Sequence, residues 1–320
     1  MLDEAIRKEH KYFSQNWTLF ANLLTSRPMT ITENDTLQRF LFENRGIRGE
    51  LVHLAAAYRA IGDHHPYPKR VHQLLGQALA GTALLSATLK FEGSLILQSQ
   101  GDGPVTLLVA QCNHHFHLRG LAKWQHNADF SDAELEGLLG KGQLGITIIP
   151  DNSAERYQGI VTLDKAELSH CLEDYFQQSE QLPTLILLTA DDTRAAGLLI
   201  QQMPDDDHFA EDYWQHVLTL AKSLTVDELL NLDNQTILHR LFHEEDIRLF
   251  SAEPVCFRCR CSTEKMEKAV VSFGKDEAQD ILKTHNHVVV NCEFCNRHYE
   301  FDKVDVERIF RGNQASGAST

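Results

Sequence analysis

Five of the chain's seven cysteines lie within forty positions, as "CFRCRC" at 256–261 and "CEFC" at 292–295. A zinc ion in proteins takes four tetrahedral ligands, and two close cysteine pairs joined by a loop supply them at low entropic cost. The cluster therefore predicts a zinc site near the end of the chain. Because five thiols are present and four are needed, the question is which cysteine the site leaves out.

One ligand set follows from C-x2-C spacing alone. Cys256 with Cys259, and Cys292 with Cys295, have this spacing and would form an ordinary structural zinc ribbon. In this interpretation the metal only holds the end of the chain together. Three nearby histidines could replace a thiolate, although four thiolates are already available: His285, His287 and His298.

Cys259 and Cys261 form a C-x-C pair that favours a different interpretation. Two cysteines one residue apart can share a zinc ion, but a disulfide between them requires the backbone to bend until the Cα atoms lie within disulfide range. Arg258 and Arg260 surround the pair with positive charge, which favours the reactive thiolate. Metal binding and oxidation then require different local geometries, which is typical of a redox switch.

The cysteines belong to the last of three predicted parts of the chain. A length of 320 residues indicates one domain with a full hydrophobic core and a smaller appendage. Residues 256–311 are too few to be stabilised by a hydrophobic core of their own, so their fold needs an additional cross-link. Residues 312–320 are predicted to be a disordered tail. In a reducing cytosol, clustered cysteines bind metal more often than they form structural disulfides.

Residues 33–203 are predicted to form an α+β core domain, preceded by an extension of unknown role at 1–32. Two segments flank a "GDG" turn and indicate a β-hairpin, because glycine tolerates the positive φ of a tight turn. They are 94–100 and 104–112. Apolar residues recur at helical spacing over 70–90 and 165–179. Further strands are predicted at 144–149, 157–163, 184–190 and 195–203.

Residues 204–255 are predicted to be an acidic helical linker. They carry 12 acidic and 3 basic side chains, whereas the whole chain has a net charge of −15. Thr225 and Glu228 have the spacing of a capping box at a helix start. Because like charges repel, the docked linker is predicted to be metastable. Apolar residues at helical spacing predict the face that docks on the core: Trp214, Val217, Leu218 and Leu224.

Beyond the cysteines, the chain resembles the heat-shock protein 33 family, the redox-regulated chaperones also called 33 kDa chaperonins. "FRCRCS" and "CEFCNRHYEF" resemble the C-x-C and C-x2-C zinc motif of that family. The resemblance covers roughly residues 33–311, and its motifs are together highly specific. It continues upstream in "RFLFENRGIRGELV", "GSLILQSQGDGPV", "ERYQGIV", "CLEDYFQQSEQLPT" and "LHRLFHEED".

The resemblance implies a ligand set for one Zn²⁺ per reduced chain, namely Cys259, Cys261, Cys292 and Cys295. Cys256 is then an additional cysteine that departs from the family's pattern, at a position where the family requires no cysteine. The resemblance further implies that oxidants convert Cys259 with Cys261, and Cys292 with Cys295, into disulfides and release the zinc. The C-terminal module and the linker would then unfold and uncover apolar surface on the core.

The implied activity is that of an ATP-independent holdase, which protects unfolding client proteins from aggregation during oxidative stress. The family also implies a homodimer of the oxidised form through the core domain, and transfer of clients to an ATP-dependent foldase. No eighteen-residue apolar run and no signal peptide are present, so we expect a cytoplasmic protein without a membrane partner. No residue set predicts catalysis, so an enzyme is not expected.

Two other functional classes stay open. A zinc-ribbon adaptor for nucleic acid would need clustered basic residues, but residues 256–320 carry ten basic and ten acidic side chains that are interspersed. A thiol–disulfide oxidoreductase would use Cys292 and Cys295 as its dithiol. Such a motif normally begins a helix after a strand in a thioredoxin-like unit, whereas this one belongs to a small metal module.

Overall fold

Two six-stranded sheets and the long helix between them form the core of the molecule, which confirms the predicted α+β class. The structure is a computed structural model that describes residues 35–88, 92–130, 134–153, 155–203 and 210–316. The predicted N-terminal extension, residues 1–32, lies outside the described residues. In the described part of the chain, no helix is long and apolar enough to cross a membrane.

The first sheet joins strands from the start of the core, from residues 184–202 and from the end of the linker. Its members are β1 (Thr36–Phe42), β2 (Ile47–Leu54), β8 (Thr184–Ala190), β9 (Ala195–Gln202), β10 (Ile247–Leu249) and β11 (Glu253–Pro254). The order is β10-β1-β2-β9-β8, and β11 also pairs with β1. Successive residues of a strand point to opposite faces, so both faces of this sheet can be apolar and covered.

The second sheet contains the predicted hairpin. Its members are β3 (Gly93–Gly101), β4 (Val105–Asn113), β5 (His117–Trp124), β6 (Gly142–Pro150), β7 (Tyr157–Thr162) and β12 (Cys256–Phe257). The order is β12-β5-β4-β3-β6-β7. Ser94 of β3 lies opposite Asn113 of β4, which confirms the hairpin. The two-residue strand β12 runs parallel to β5 and brings the start of the C-terminal module onto this sheet.

One long helix, α2, separates the two sheets. Among the described residues, four α-helices belong to the core: α1 (Ala56–Gly62), α2 (Lys69–Thr88), α3 (Leu135–Leu139) and α4 (Leu168–Tyr175). A Cβ atom at Gly76 of α2 would lie 2.8 Å from the Tyr58 ring, so the close packing there requires glycine. The helix predicted at 70–90 is confirmed as far as Thr88, beyond which residues 89–91 lie outside the described ranges. The helix predicted at 165–179 is confirmed from Leu168 and continues as a π-helical turn at Phe176–Glu180.

The linker is helical only in its first part. It contains α5 (Glu211–Ala221), α6 (Val226–Asn231) and α7 (Asn234–Phe242). Thr225 and Glu228 form the predicted capping box at the start of α6. The prediction of a helical linker up to residue 255 is wrong for its end, where β10 and β11 pair with β1. These strands pair with backbone groups along the edge of β1, an interaction that a helix could not make.

The C-terminal module has a small apolar cluster of its own. Its elements are α8 (Thr263–Phe273), α9 (Lys275–His285), β13 (Val288–Asn291), β14 (His298–Phe301) and α10 (Lys303–Ser316). The cluster contains Val270, Ala278, Val288, Val290, Phe301, Val306 and Ile309. Helix α10 continues to Ser316, whereas the disordered tail was predicted from residue 312, and residues 317–320 lie outside the described ranges.

Candidate metal centre and linker interface

Four sulfur atoms from two separate loops meet in the C-terminal module. They are the Sγ atoms of Cys259, Cys261, Cys292 and Cys295, which all lie within 4.8 Å of one another. Within the described ranges, this is the one group of three or more cysteine, histidine or acidic side chains close enough to share a metal ion. Cys292 is buried and the other three are half-buried, so the site is largely shielded from solvent.

The spacing of the sulfur atoms fits a tetrahedral zinc ion. Zinc–sulfur bonds of about 2.3 Å in a tetrahedron separate the sulfur atoms by roughly 3.8 Å. Cys259 Sγ lies 3.6 Å from Cys292 Sγ, and Cys261 Sγ lies 3.5 Å from Cys295 Sγ. Thiolates are soft ligands that select zinc over magnesium or calcium. The four residues can thus hold a metal ion in the geometry that zinc prefers.

Two different local structures present the ligands. Cys259 and Cys261 lie in the loop after β12, which ends where Ser262 caps helix α8. Cys292 and Cys295 lie in the turn between β13 and β14, a segment that we call the knuckle (292–296). The Asn296 amide donates to the Cys292 carbonyl over 2.8 Å, and Asn296 has a positive φ of 50°. The hairpin therefore closes around the second ligand pair.

The Tyr299 hydroxyl donates a hydrogen bond to Cys261 Sγ over 3.1 Å. Burial alone raises the pKa of Cys261, but hydrogen bonds from Tyr299 and from the neighbouring cysteines outweigh it and lower this pKa to about 7. Burial raises the pKa of Cys259 and of Cys295. The hydrogen bond from Tyr299 therefore favours the thiolate form of Cys261, which is the form that binds metal. Sequence reasoning missed Tyr299, whose partner is 38 residues away.

The fifth cysteine of the run, Cys256, lies outside the cluster. It is exposed on β12, where it pairs with His117 of β5. The structure therefore brings together the ligand set that contains Cys261. The alternative set of two C-x2-C pairs, which contains Cys256, is not assembled. The three candidate histidines are also outside it: His285 and His287 are exposed, and His298 contacts Asn291 and Glu300.

The predicted docking face of the linker lies against the core. Trp214, Val217 and Leu224 are buried, and Val217 is 0% exposed. Leu218 is only partly buried at the margin of the same cluster. Ala221, one turn further along α5, is also 0% exposed. The helix thus buries a stripe that is centred on Val217 and Ala221 instead of Leu218.

The linker helices cover the outer face of the first sheet, opposite α2. The covered core residues share one cluster with the linker: Phe40, Phe42, Ile47, Leu51, Leu185, Ala196, Leu198 and Ile200. The face is almost wholly aliphatic and aromatic, so without the linker it would be an extended apolar patch. Patches of this kind on soluble proteins mark interaction sites.

Polar contacts fix the position of the linker helices on this face of the first sheet. The buried His53 ring donates from Nε2 to the Leu229 carbonyl over 2.8 Å, and burial lowers the pKa of His53. Arg194 donates to Asn231 Oδ1 over 2.7 Å. His53 and Arg194 belong to the core, and their partners belong to α6 or its end. A neutral imidazole is therefore part of the docked state.

Comparison with known proteins identifies the family. A family model described as Hsp33 protein matches residues 35–302. The chain is 46% identical over 294 residues to the 33 kDa chaperonin of Pseudomonas savastanoi pv. phaseolicola, with 90% of this chain and 98% of the relative covered. It is 47% identical over 280 residues to the 33 kDa chaperonin of Nitrosococcus oceani, with 88% and 96% covered.

A solved structure shares the fold. The 33 kDa chaperonin (heat shock protein 33 homolog) of Thermotoga maritima superposes with a TM-score of 0.76 at 21% sequence identity. The match covers 89% of this chain and 100% of the other. The family model spans both sheets, the linker helices and the four clustered cysteines. The chain therefore belongs to the heat-shock protein 33 family.

Proposed function

We propose that this protein is a redox-regulated, ATP-independent holdase, a chaperone that protects unfolding proteins from aggregation during oxidative stress. Membership of the family supports the chaperone class. One observation carries the regulation: an acidic linker that covers an apolar sheet face leads directly into a cluster of four cysteines. A chemical change at the cysteines can thus be coupled to exposure of the apolar face.

In the reduced form, Cys259, Cys261, Cys292 and Cys295 would hold one Zn²⁺ per chain. Structural zinc contributes about 10–16 kcal/mol to the folding of small domains. The module, residues 256–311, has only a small apolar cluster of its own, so its fold depends on the metal. The folded module in turn anchors the end of the linker, residues 204–255, beside the core domain, residues 33–203.

Oxidation removes the metal ligands. The four thiolates lose four electrons and form two S–S bonds, Cys259 with Cys261 and Cys292 with Cys295. Two equivalents of peroxide accept these electrons and, with four protons, become four water molecules. Disulfide sulfur is a poor zinc ligand because it carries no charge, so the oxidised residues would no longer hold the ion, and the module would lose most of its stability.

Release of the linker exposes the client-binding surface. Residues 204–255 carry 12 acidic and 3 basic side chains, and self-repulsion favours their undocked state. The uncovered face of the first sheet, including Phe40, Phe42 and Leu51, then binds the exposed apolar segments of unfolding clients. Binding of this kind needs no ATP and no catalytic residue.

The cellular context follows from the same proposal. The oxidised protein acts as a homodimer in the cytoplasm and passes its clients to an ATP-dependent foldase. Its partners are unfolded proteins, and neither nucleic acid nor a membrane takes part. The protein is a chaperone and not an enzyme.

The test compares the same preparation before and after peroxide. Metal analysis should find one zinc per chain in the reduced protein and its loss on oxidation. Suppression of aggregation of a thermally unfolding client, followed by light scattering, should appear only after oxidation and disappear after reduction with zinc. Reduced protein without zinc, or oxidised protein without holdase activity, would contradict the proposal.

A further inference from the structure

All three residues that lie between paired cysteines contact the second sheet of the core. Arg260, between Cys259 and Cys261, donates from Nη1 to Ser94 Oγ over 3.3 Å. Glu293 and Phe294 lie between Cys292 and Cys295. The residues that fix the spacing of the metal ligands are therefore the same residues that join the module to the core.

Arg119 of β5 lies at the centre of this contact. Its guanidinium carbon lies 4.2 Å from the centre of the Phe294 ring, in cation–π geometry. Gln111 of β4 accepts from Arg119 Nε over 2.7 Å and orients the guanidinium. Burial lowers the pKa of Arg119, and the nearby thiol of Cys259 partly offsets this effect. A core side chain thus contacts the knuckle through Phe294 and lies in the electrostatic neighbourhood of one ligand, Cys259.

Two further contacts hold the knuckle. The Lys123 ammonium pairs with the Glu293 carboxylate at 2.5 Å. The ring of His65, in the loop after α1, donates from Nε2 to the Glu293 carbonyl over 2.8 Å. Arg119 and Lys123 lie four residues apart on β5, so their side chains share one face of that strand. This face is the outer side of the second sheet, away from α2.

The same strand also pairs with the other ligand loop. The amide of Cys256 donates to the Phe116 carbonyl over 3.1 Å, and the amide of Arg258 donates to the Leu118 carbonyl over 2.9 Å. These bonds hold β12 along β5 directly before Cys259. Strand β5 and the residue before it therefore contact both segments that carry the ligands, β12 through the backbone and the knuckle through side chains.

The charge of the ligand set changes with its redox state. Four thiolates around a divalent cation leave two excess negative charges, whereas two disulfides leave none. The attraction between the half-buried Arg119 and Cys259 depends on that negative charge. The position of Phe294 and Glu293 depends on the knuckle conformation, which the ligands Cys292 and Cys295 hold. Oxidation would therefore remove the attraction between Arg119 and Cys259 and would change the knuckle that presents Phe294 and Glu293.

We propose that Arg119, Phe294 and the Lys123–Glu293 pair form a latch by which the core domain directly senses the redox state of the cysteine cluster. The latch is a second coupling route, independent of linker docking on the first sheet. It rests on the proposed function in taking Cys259, Cys261, Cys292 and Cys295 as metal ligands. Opening of the latch frees β12, and with it the junction between linker and module.

Hydrogen exchange of the reduced, zinc-loaded full chain tests the latch. In Arg119→Gln, the amides of Cys256 and Arg258 should exchange about tenfold faster, as expected for the loss of a half-buried charged contact. Zinc content should stay at one per chain. The matched control is Arg156→Gln, which removes an exposed arginine directly before β7, at the opposite edge of the second sheet. Unchanged exchange in Arg119→Gln would overturn the inference, and so would loss of its zinc.

A charge reversal gives an independent test if Arg119→Gln folds poorly. Lys123→Glu and Glu293→Lys should each speed exchange of these amides by about two- to fivefold, since exposed pairs contribute little. The double variant should restore protection, and failure to restore it would overturn the latch. Faster exchange in the single variants together with an inactive oxidised wild type would leave the latch standing and contradict the proposed function instead.

Discussion

The ring of Phe42 in β1 meets the ring of Phe242 in α7 nearly edge-on, with centroids 5.0 Å apart and planes at 76°. Phe42 also meets Tyr213 of α5 edge-on at 6.3 Å. One core side chain thus contacts both the first and the last linker helix. Because the linker is strongly acidic, these apolar contacts must outweigh its self-repulsion. Polar substitutions within this interface should therefore release the linker.

Val217→Asp should activate the reduced protein without peroxide. Val217 is 0% exposed, and an unpaired buried carboxylate costs roughly 3 kcal/mol or more. Leu218→Asp is the matched control on the same helix, and its effect should be smaller because Leu218 is half-buried. Light scattering of a thermally unfolding client, zinc content and hydrogen exchange over 211–242 should be measured together. A Val217→Asp protein that keeps zinc, loses linker protection and still holds no client would refute linker release as the activating step.

Zinc affinity should distinguish the two ligand sets. Cys261→Ser removes one of the four clustered sulfur atoms, so chelator competition should show a loss of affinity of at least about 100-fold. Cys256→Ser changes an exposed thiol outside the cluster and should leave the affinity nearly intact. The opposite result would indicate a plain zinc ribbon with Cys256 as a ligand.

Tyr299→Phe should weaken zinc binding without removing a ligand. The substitution deletes only the hydroxyl that donates to Cys261 Sγ, and partners that orient metal ligands typically contribute 10- to 100-fold in affinity, so we expect about tenfold. The matched control, Tyr157→Phe, changes a tyrosine that is 56% exposed on β7. Equal zinc affinities for the two variants in chelator competition would show that the hydrogen bond is dispensable.

Glu50→Gln should stabilise the core at alkaline pH. Glu50 is 1% exposed, and burial raises its pKa from 4.5 to about 7, although Arg48 and Arg39 oppose the shift. Because the folded-state pKa is the higher one, the folded state binds the proton more tightly than the unfolded state. The free energy of unfolding that the protein loses through ionisation of Glu50 therefore grows as the pH rises from about 4.5 to about 7, and it stays constant above pH 7.

The advantage of Glu50→Gln over the wild type should rise from about 1 kcal/mol at pH 5 to about 3 kcal/mol at pH 8. Urea denaturation of both zinc-loaded, reduced proteins at the two pH values measures this difference. Comparison at the same pH cancels the pH dependence of zinc binding, which both proteins share. A difference that does not grow with pH would show that Glu50 is not buried as a neutral acid.

Local patterns in the sequence were sufficient for most elements of the core, for the linker helices and for the chemistry of the module, but not for β10 and β11, which depend on pairing with the distant β1. The hairpin of β3 and β4, the long helix Lys69–Thr88 and the capping box at Thr225 all depend on residues close in sequence. Side-chain periodicity and turn chemistry act over such short ranges. The density and spacing of the cysteines were likewise enough to predict a metal site, because ligand type depends only on residue identity.

Only the tertiary structure decided which residues of those patterns work together. Spacing alone allowed Cys256 as a ligand, but pairing of β12 with β5 keeps that thiol outside the cluster. Helical periodicity assigned both Val217 and Leu218 to the docking face. Packing on the first sheet buries Val217 completely and leaves Leu218 partly exposed. The contact of Arg119 with Phe294 likewise joins the core to the distant module. Such contacts form between surfaces that are complete only after the chain has folded, so no local pattern encodes them.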